Sequence, residues 1–182
     1  MLLSQDTWKF VNTFAPWLSA VGTISAVIVS LHLARRDKRI RLEVSAGIRL
    51  IVTPGIPESA RNEYLAIHVV NIGHREAQIT NVGWKAGIFK KRYAVQTNFM
   101  AGNSSSLPIR LRDGEEARYF VPLNEESDWL SGFGRDMLSR DWVQAYFLRI
   151  QVSTSVGVTV ESRIEKGLRT KLIETMKQAG RG

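Results

Sequence analysis

Residues 10–34 read FVNTFAPWLSAVGTISAVIVSLHLA and contain no Asp, Glu, Lys or Arg. A helix of this length would extend about 37 Å at about 1.5 Å per residue, which exceeds the roughly 30 Å hydrocarbon core of a bilayer. The alternative, a helix buried in a soluble core, seldom runs this far without a charged side chain. Proline is best tolerated in the first turn of a helix. We therefore predict a transmembrane helix over residues 13–36. Its start is expected near residues 13–16, because this places Pro16 in the first turn.

A basic segment follows the apolar stretch, and its last part, residues 37–41, is a predicted juxtamembrane collar. Five basic side chains lie within seven residues: Arg35, Arg36, Lys38, Arg39 and Arg41. The positive-inside rule places this side in the cytoplasm, so residues 1–12 are expected on the outer face of the membrane and the rest of the chain inside. A cleaved signal peptide would carry its basic residues before the apolar stretch. The five side chains are also expected to attract anionic lipid head groups.

Two sets of side chains give the predicted span further properties. Aromatic residues typical of a membrane–water interface lie around its start: Trp8, Phe10, Phe14 and Trp17. Small residues recur at steps of three and four on one helix face: Ala15, Ser19, Gly22, Thr23, Ala26 and Ser30. Such a face lets helices approach closely, which predicts association with a second copy or another helix. The alternative is that its hydroxyl groups bond only carbonyls of their own helix.

The composition limits the possible partners. The chain has 182 residues, a net charge of +8 and no Cys. Residues 35–41 supply +4 of this charge, from five bases and one acid, so membrane topology accounts for half of the excess. Nucleic acid is therefore not expected as a partner. Without Cys, disulfides, thiolate metal sites and thiol catalysis are excluded.

Beyond residue 42 the sequence changes to short runs of β-favouring residues separated by turn signals. Seven strands and a fragment at 109–112 are predicted: 42–52, 64–70, 78–85, 88–96, 116–123, 142–154 and 157–163. Their number and spacing predict a mainly β fold for residues 42–164, a sandwich of the immunoglobulin or fibronectin type III kind. Trp84 is predicted as a core anchor, Gly83 as a β-bulge, and the lysine-bearing run 88–96 as an edge strand.

Two segments break the β pattern. Between residues 124 and 140, apolar residues at helical spacing predict a short helix or an aromatic-rich loop. Residues 165–182 are predicted as an amphipathic helix and tail with an apolar stripe: Leu168, Leu172, Ile173 and Met176. We expect this stripe to pack on the β domain. A bilayer surface and a partner protein are the alternatives.

No residue pattern predicts catalysis. The histidines lack further donors at metal-binding spacing: His32, His68 and His74. The acid pairs at 115–116 and 125–126 would point to opposite faces of a strand, and the serines at 104–106 have no matched base. We therefore predict no catalytic, cofactor-binding or metal-ligating residues, and expect that the protein is not an enzyme.

Four stretches carry a resemblance that covers most of the chain: PWLSAVGTISAVIVSL, ARRDKR, VVNIGHREAQITNVGWK and LRDGEEARYFVPL. In this order they resemble the corresponding stretches of many uncharacterised small bacterial inner-membrane proteins. The resemblance implies one N-terminal transmembrane helix and a cytoplasmic β-sandwich-like domain. It implies no site residues.

We therefore expect a membrane-anchored interaction or scaffold module, which tethers a cytoplasmic partner, or itself as an oligomer, to the inner membrane. The candidate partner surfaces are residues 54–61, 90–93 and 129–133. One alternative is a membrane effector of a defence or toxicity system whose helices assemble into a pore or lesion. Another is an adaptor that brings nucleic acid or anionic lipid to the membrane.

Overall fold

The structure is a computed structural model that describes residues 5–37, 39–51, 62–87, 90–124, 128–138 and 142–179. Of residues 5–13 and 35–37 it describes only the backbone. Contacts between residues divide the chain into two compact units, Met1–Arg39 and Ile40–Gly182.

The described part of the first unit is a helix, α1 (Gln5–Asp37). Its segment Phe14–Ala34 has a mean hydropathy of 1.7 and no buried side chain, and it is long and apolar enough to span a membrane. The helix itself begins earlier, at Gln5, so it extends beyond the N-terminal side of the predicted span, and the start of the span near residues 13–16 stays a prediction. Pro16 lies inside the helix, where its missing N–H removes one backbone hydrogen bond.

The described part of the second unit contains eight strands: β1 (Leu42–Leu50), β2 (Glu63–Asn71), β3 (Ala77–Ala86), β4 (Arg92–Val95), β5 (Ile109–Leu111), β6 (Glu116–Pro122), β7 (Arg149–Thr154) and β8 (Thr159–Arg163). They form two antiparallel sheets. The first has the order β1-β2-β6, and the second has the order β4-β3-β7-β8, with β5 also paired to β3. The prediction of seven strands and a fragment is confirmed, since β5 is the fragment.

Three further helices accompany the sheets: α2 (Trp129–Asp136), a 3₁₀ helix (Trp142–Phe147) and α3 (Lys166–Ala179). The short helix predicted between residues 124 and 140 is thus confirmed as α2. The chain as a whole is mixed, with a helix near each end, so the mainly β prediction fits only the second unit.

The two sheets bury one face each in a common core. Along β2, Leu65, Ile67 and Val69 are fully buried, as the alternation of side chains predicts. Trp84 is 1% exposed, which confirms it as a core anchor. Tyr119 is also buried, with its ring 4.9 Å from that of Phe99, and desolvation raises its pKa to about 12.

The predicted β-bulge at Gly83 is wrong. The register of β3 against β7 shifts between Ile79 and Asn81 instead, whereas Gly83 pairs regularly with Val95 of β4. A Cβ at Gly83 would lie 2.4 Å from the carbonyl oxygen of Ala94. The glycine therefore permits the close approach of β4 to β3.

The predicted strand 142–154 is wrong in its first half, which forms the 3₁₀ helix, while β7 occupies the second half. Ala145 and Leu148 are buried three residues apart, which matches the three residues per turn of a 3₁₀ helix. Aromatic and branched residues favour strands in general, and here the packing of these two side chains overrides that preference.

Helix α3 packs on its own domain, as expected. Its predicted stripe is buried, at Leu168, Leu172, Ile173 and Met176, and the helix contacts α2, the 3₁₀ helix and β1. Gly134 of α2 lies close to α3, since a Cβ there would lie 2.8 Å from Met176 Cγ. The stripe is therefore a core surface rather than a free membrane-binding face.

A loop at residues 98–108, which we name the covering loop, lies along the outer edge of β6. The N–H of Ser105 donates to the carbonyl oxygen of Arg118 at 2.8 Å. In return, Ser105 Oγ accepts from Arg118 N at 3.1 Å, and Ser104 Oγ accepts from Phe120 N at 3.0 Å. The covering loop thus satisfies outward-facing backbone groups of β6, as an additional strand would.

Candidate interaction groove

Strand β4 forms an edge of the second sheet, as its lysine-bearing sequence predicts. Just beyond it, Gln96 N donates to Val82 O of β3 at 2.9 Å. Bonded and non-bonded positions alternate along an antiparallel pair, so the backbone N–H and C=O groups of Tyr93 and Val95 point away from β3. No described strand pairs with them on that side, and both side chains are exposed. The edge of β4 is therefore open.

Aromatic side chains of α2 and β3 form a cluster beside this edge. The rings of Trp129 and Phe133 stack with centroids 4.6 Å apart and planes at 19°. Trp84 contacts both, at 5.7 Å from Trp129 and 5.3 Å from Phe133. Each aromatic pair of this kind adds about 0.5–1.5 kcal/mol beyond the burial of its area. The cluster therefore fixes α2 against β3.

The amide of Gln96 ties this cluster to the edge strand. Gln96 is 7% exposed and directly follows β4. Its Oε1 accepts from Trp84 Nε1 at 3.0 Å and from Trp129 Nε1 at 3.2 Å. Its Nε2 donates to Asn98 O at 3.2 Å. One buried side chain thus satisfies both indoles and orients them, as buried polar groups require.

Strand β4 and helix α2 border a groove of about 610 Å³, which we name the β4–α2 groove. Typical binding pockets measure about 300–1,000 Å³ and combine apolar walls with a few polar groups. The aromatic cluster and Val95 provide apolar lining, and the charged lining residues are Arg92, Asp128 and Asp136. Asp136 Oδ1 accepts from Arg135 Nε at 3.0 Å, and the Asp128 carboxylate accepts from the Ser131 hydroxyl. The groove therefore has the size and lining of a binding site.

The structure brings together two of the three predicted partner surfaces. Residues 90–93 lead into β4 and residues 129–133 belong to α2, so both border the β4–α2 groove. The third surface, residues 54–61, lies outside the described residues. Gln96 is not among the residues predicted from the sequence, where its signal is only that of a polar residue at the end of a predicted edge strand.

The predicted association face lies on one side of α1. Its six residues fall within about 100° of arc at about 100° per residue. All six are exposed: Ala15, Ser19, Gly22, Thr23, Ala26 and Ser30. Thr23 Oγ1 donates to Ser19 O at 2.9 Å, so this hydroxyl is satisfied within its own helix. Association through this face stays a prediction.

The predicted lipid-contacting residues are only partly described. Phe14 and Trp17 are 49% and 73% exposed, whereas the side chains of Trp8 and Phe10 lie outside the described part of the structure. In the collar, Arg39 and Arg41 are exposed. The side chains of the remaining collar residues are not among those described: Arg35, Arg36 and Lys38.

Two of the histidines contact carboxylates on the surface of the second unit. His68 Nε2 is 2.5 Å from Glu116 Oε2, and His74 Nδ1 is 2.7 Å from Asp113 Oδ2. The hydrogen bond with His68 lowers the pKa of Glu116. His32 lies on α1. Within the described ranges, no three His, Asp or Glu side chains are grouped closely enough to hold a metal ion.

The predicted acid pairs and serines do not meet in one site. Glu115 accepts from the backbone N–H of Arg112 at 2.8 Å, and the pair at 125–126 lies outside the described residues. Ser104 and Ser105 bond to β6 in the covering loop. These side chains therefore stabilise a turn and a sheet edge.

Comparison with known proteins adds little to this description. No protein family and no curated protein matches the chain. A crystal structure described as an ApaA protein of Bordetella pertussis is similar at 14% identity and a TM-score of 0.33, covering 70% of this chain and 91% of that one. A solution structure described as a late embryogenesis abundant protein is similar at 11% identity and a TM-score of 0.29, covering 85% of each chain. TM-scores this low support no fold family and no function.

Proposed function

We propose that this protein is a membrane-anchored interaction module whose second unit binds an extended segment of a partner protein in the β4–α2 groove. The observation that carries the proposal is the open edge of β4 beside an aromatic-lined groove of about 610 Å³. Helix α1 supports the anchoring role, because its segment Phe14–Ala34 is long and apolar enough to span a membrane.

The open edge and the aromatic cluster suit two parts of the same ligand. An extended segment could pair with the outward-facing N–H and C=O groups of Tyr93 and Val95, as in other cases of strand addition. Side chains alternate along an extended chain, so every second ligand side chain would face Trp129 and Phe133. Backbone pairing would supply affinity, and an apolar or aromatic ligand side chain in the groove would supply specificity.

We also propose the inner-membrane topology indicated by the basic collar, with the second unit in the cytoplasm. The strand pairing supports an immunoglobulin or fibronectin type III topology for that unit. Taken as strands A, B and E, the strands β1, β2 and β6 form one sheet, and β3, β7 and β8 correspond to C, F and G in the other. Protease protection in intact spheroplasts tests the orientation, since digestion of the second unit by external protease would contradict it.

Two experiments on the full chain test the groove: photo-crosslinking identifies the partner, and a proline substitution then tests how it binds. A photo-crosslinking amino acid at Tyr93, in native membranes, should capture the partner, whereas the same group at the exposed Thr80 should not. With the partner in hand, Val95→Pro should weaken binding about tenfold, because it removes an outward-facing N–H that bonds the ligand. Val95→Ala keeps that N–H and should bind nearly as the parent does.

Two results would reject the groove as the binding site. One is equal capture from Tyr93 and Thr80. The other is unchanged affinity of Val95→Pro for the captured partner.

A second candidate is self-association of α1, extending to a membrane lesion in a defence or toxicity role. The exposed small-residue face supports it, and a Cβ added at Gly22 would meet no atom within 4 Å. Overexpression should then depolarise cells. Gly22→Leu should abolish the effect, and Val21→Leu, which lies outside this face, should not. A normal membrane potential on overexpression of the parent chain would count against this candidate.

A further inference from the structure

The 3₁₀ helix exposes a cluster of aromatic rings. Trp142, Tyr146 and Phe147 are 46%, 52% and 44% exposed. The rings of Trp142 and Tyr146 meet edge to face with centroids 6.3 Å apart. We name these three residues the aromatic patch. Aromatic side chains dominate burial energetics, so the contacting pair Trp142 and Tyr146, with the exposed Phe147 next in the chain, marks a contact surface.

Basic side chains of α3 lie directly against the patch. Arg169 Cζ is 5.3 Å from the centroid of the Tyr146 ring, and Lys177 Nζ is 5.3 Å from that of Trp142. Lys166 is also exposed and lies about 20° from Lys177 around the helix axis, at about 100° per residue. The surface therefore combines apolar rings with positive charge.

We propose that the aromatic patch and its flanking cations dock on the surface of an anionic bilayer. Tryptophan and tyrosine favour the membrane–water interface, where the ring is in an apolar layer and its polar atom reaches water. Lysine and arginine beside them are attracted to anionic head groups. Because α1 is suited to hold the chain in a membrane, the docking step is intramolecular and needs little intrinsic affinity.

The observed geometry favours lipid over the two other occupants. Bases of a single-stranded nucleic acid would stack on open ring faces, but a cation already occupies one face of Tyr146 and of Trp142. A second copy of the chain would bring the same positive charges against each other, which disfavours a symmetric contact. An anionic lipid surface matches both the rings and the charges.

The absence of cysteine allows a direct test in the full chain. A cysteine introduced by Val143→Cys, next to Trp142 and outside the aromatic patch, carries an environment-sensitive fluorophore, and the matched control carries it at the exposed position 155 through Ser155→Cys. Ser155 follows the far end of β7 from the 3₁₀ helix, about 17 Å away at about 3.3 Å per residue. Each protein is reconstituted in nanodiscs of phosphatidylcholine alone or of phosphatidylcholine mixed with phosphatidylglycerol.

In anionic nanodiscs the label at 143 should shift to the blue and be quenched by spin-labelled lipid, and the label at 155 should not. Raising the salt from about 0.1 M to 1 M shortens the Debye length from about 10 Å to 3 Å and should reverse much of the effect. Lys177→Gln should lower the ratio of docked to undocked chains roughly fivefold, whereas Gln178→Ala should leave it unchanged.

Three outcomes overturn the proposal. The label at 143 could report water in anionic and neutral nanodiscs alike. It could become buried only when the protein concentration rises, which would indicate a second copy, or only when RNA is added. None of these outcomes affects the β4–α2 groove, which lies on α2 and β4.

Discussion

Two sheet edges of the second unit differ in whether their outward-facing backbone groups are hydrogen-bonded. At the edge of β6 the covering loop bonds to both backbone groups of Arg118, and the hydroxyl of Ser104 accepts from Phe120 N. At the edge of β4 no described strand pairs with the outward-facing groups of Tyr93 and Val95. Exposed edges invite pairing with other chains, and proteins usually block them. Of these two edges, the edge of β4 is therefore the one whose outward-facing groups no described strand pairs with.

The two edges also differ in what supports them. The edge of β6 is closed by hydrogen bonds from a loop. The edge of β4 is backed by Trp84, Trp129 and Phe133 and tied to them through Gln96. The edge of β6 thus depends on hydrogen bonds from the covering loop, whereas the edge of β4 depends on the aromatic cluster packed behind it.

The largest expected effect on stability comes from replacing Trp84, the residue of β3 in this aromatic cluster. Trp84→Ala should destabilise the second unit by about 3–5 kcal/mol, because it leaves a cavity and removes a donor to Gln96. Trp84→Phe keeps most of the ring and should cost only about 1 kcal/mol for the lost hydrogen bond. Urea titration followed by circular dichroism in mild detergent measures both. A cost for Trp84→Ala no larger than that for Trp84→Phe would show that the cluster does not support the edge.

Proline substitutions compare the two edges directly. Arg118→Pro removes a backbone N–H that donates to Ser105 Oγ. Val95→Pro removes a backbone N–H that points toward the groove and away from β3. Relative to the alanine variant at each position, proline should cost about 1–2 kcal/mol more at 118 than at 95. The same urea titrations give the difference. Equal penalties would mean that the edge of β4 is closed in solution.

Serine substitutions in the covering loop should have a smaller effect. Ser104→Ala and Ser105→Ala should each cost about 1 kcal/mol, since each leaves a backbone N–H of β6 without its acceptor. The exposed Ser106 provides the control, and Ser106→Ala should stay within about 0.5 kcal/mol of the parent. Thermal unfolding of the three variants ranks them. Indistinguishable midpoints would exclude a closing role for the two hydroxyls.

The smallest expected effect concerns an ion pair on the outer face of the second sheet. Lys85, which lies opposite Tyr93 of the open edge, donates to Glu161 at 2.6 Å, and this hydrogen bond lowers the pKa of Glu161. Because the folded pKa lies below the unfolded value of about 4.3, the pair stabilises the fold above that pH. The stabilisation is lost as the pH falls through the lowered pKa.

Glu161→Gln tests this pair. It should cost about 0.5 kcal/mol at neutral pH and almost nothing below the lowered pKa of Glu161. Unfolding titrations across that range supply the comparison. A cost that does not change with pH would assign the effect to packing instead of charge.

Much of the fold could be predicted where periodicity alone determines burial. The stripe of α3 and the alternating residues of β2 follow directly from spacings of 3.6 and 2. Lys90 and Lys91 before β4 signalled an edge because charged side chains deter pairing. These features depend on a single segment, so the sequence contains what is needed to predict them.

What could not be predicted depends on contacts between distant segments. Gln96 matters because Trp84 and Trp129 converge on it, and those three residues lie far apart in sequence. Gly83 is required by the backbone of β4, not by the local twist of β3. Aromatic residues at 142–147 suited a strand equally well, and only the packing of α3 and the core selects the 3₁₀ helix.

Helix α3 contacts both α2, which borders the β4–α2 groove, and the 3₁₀ helix, which carries the aromatic patch. Met176 packs so closely against Gly134 that α2 and α3 cannot approach further at this contact. A ligand that displaced α3 from either side would therefore change affinity on the other, and thermodynamic linkage makes the two effects equal in size. Measuring partner affinity in anionic and neutral nanodiscs would reveal such reciprocity.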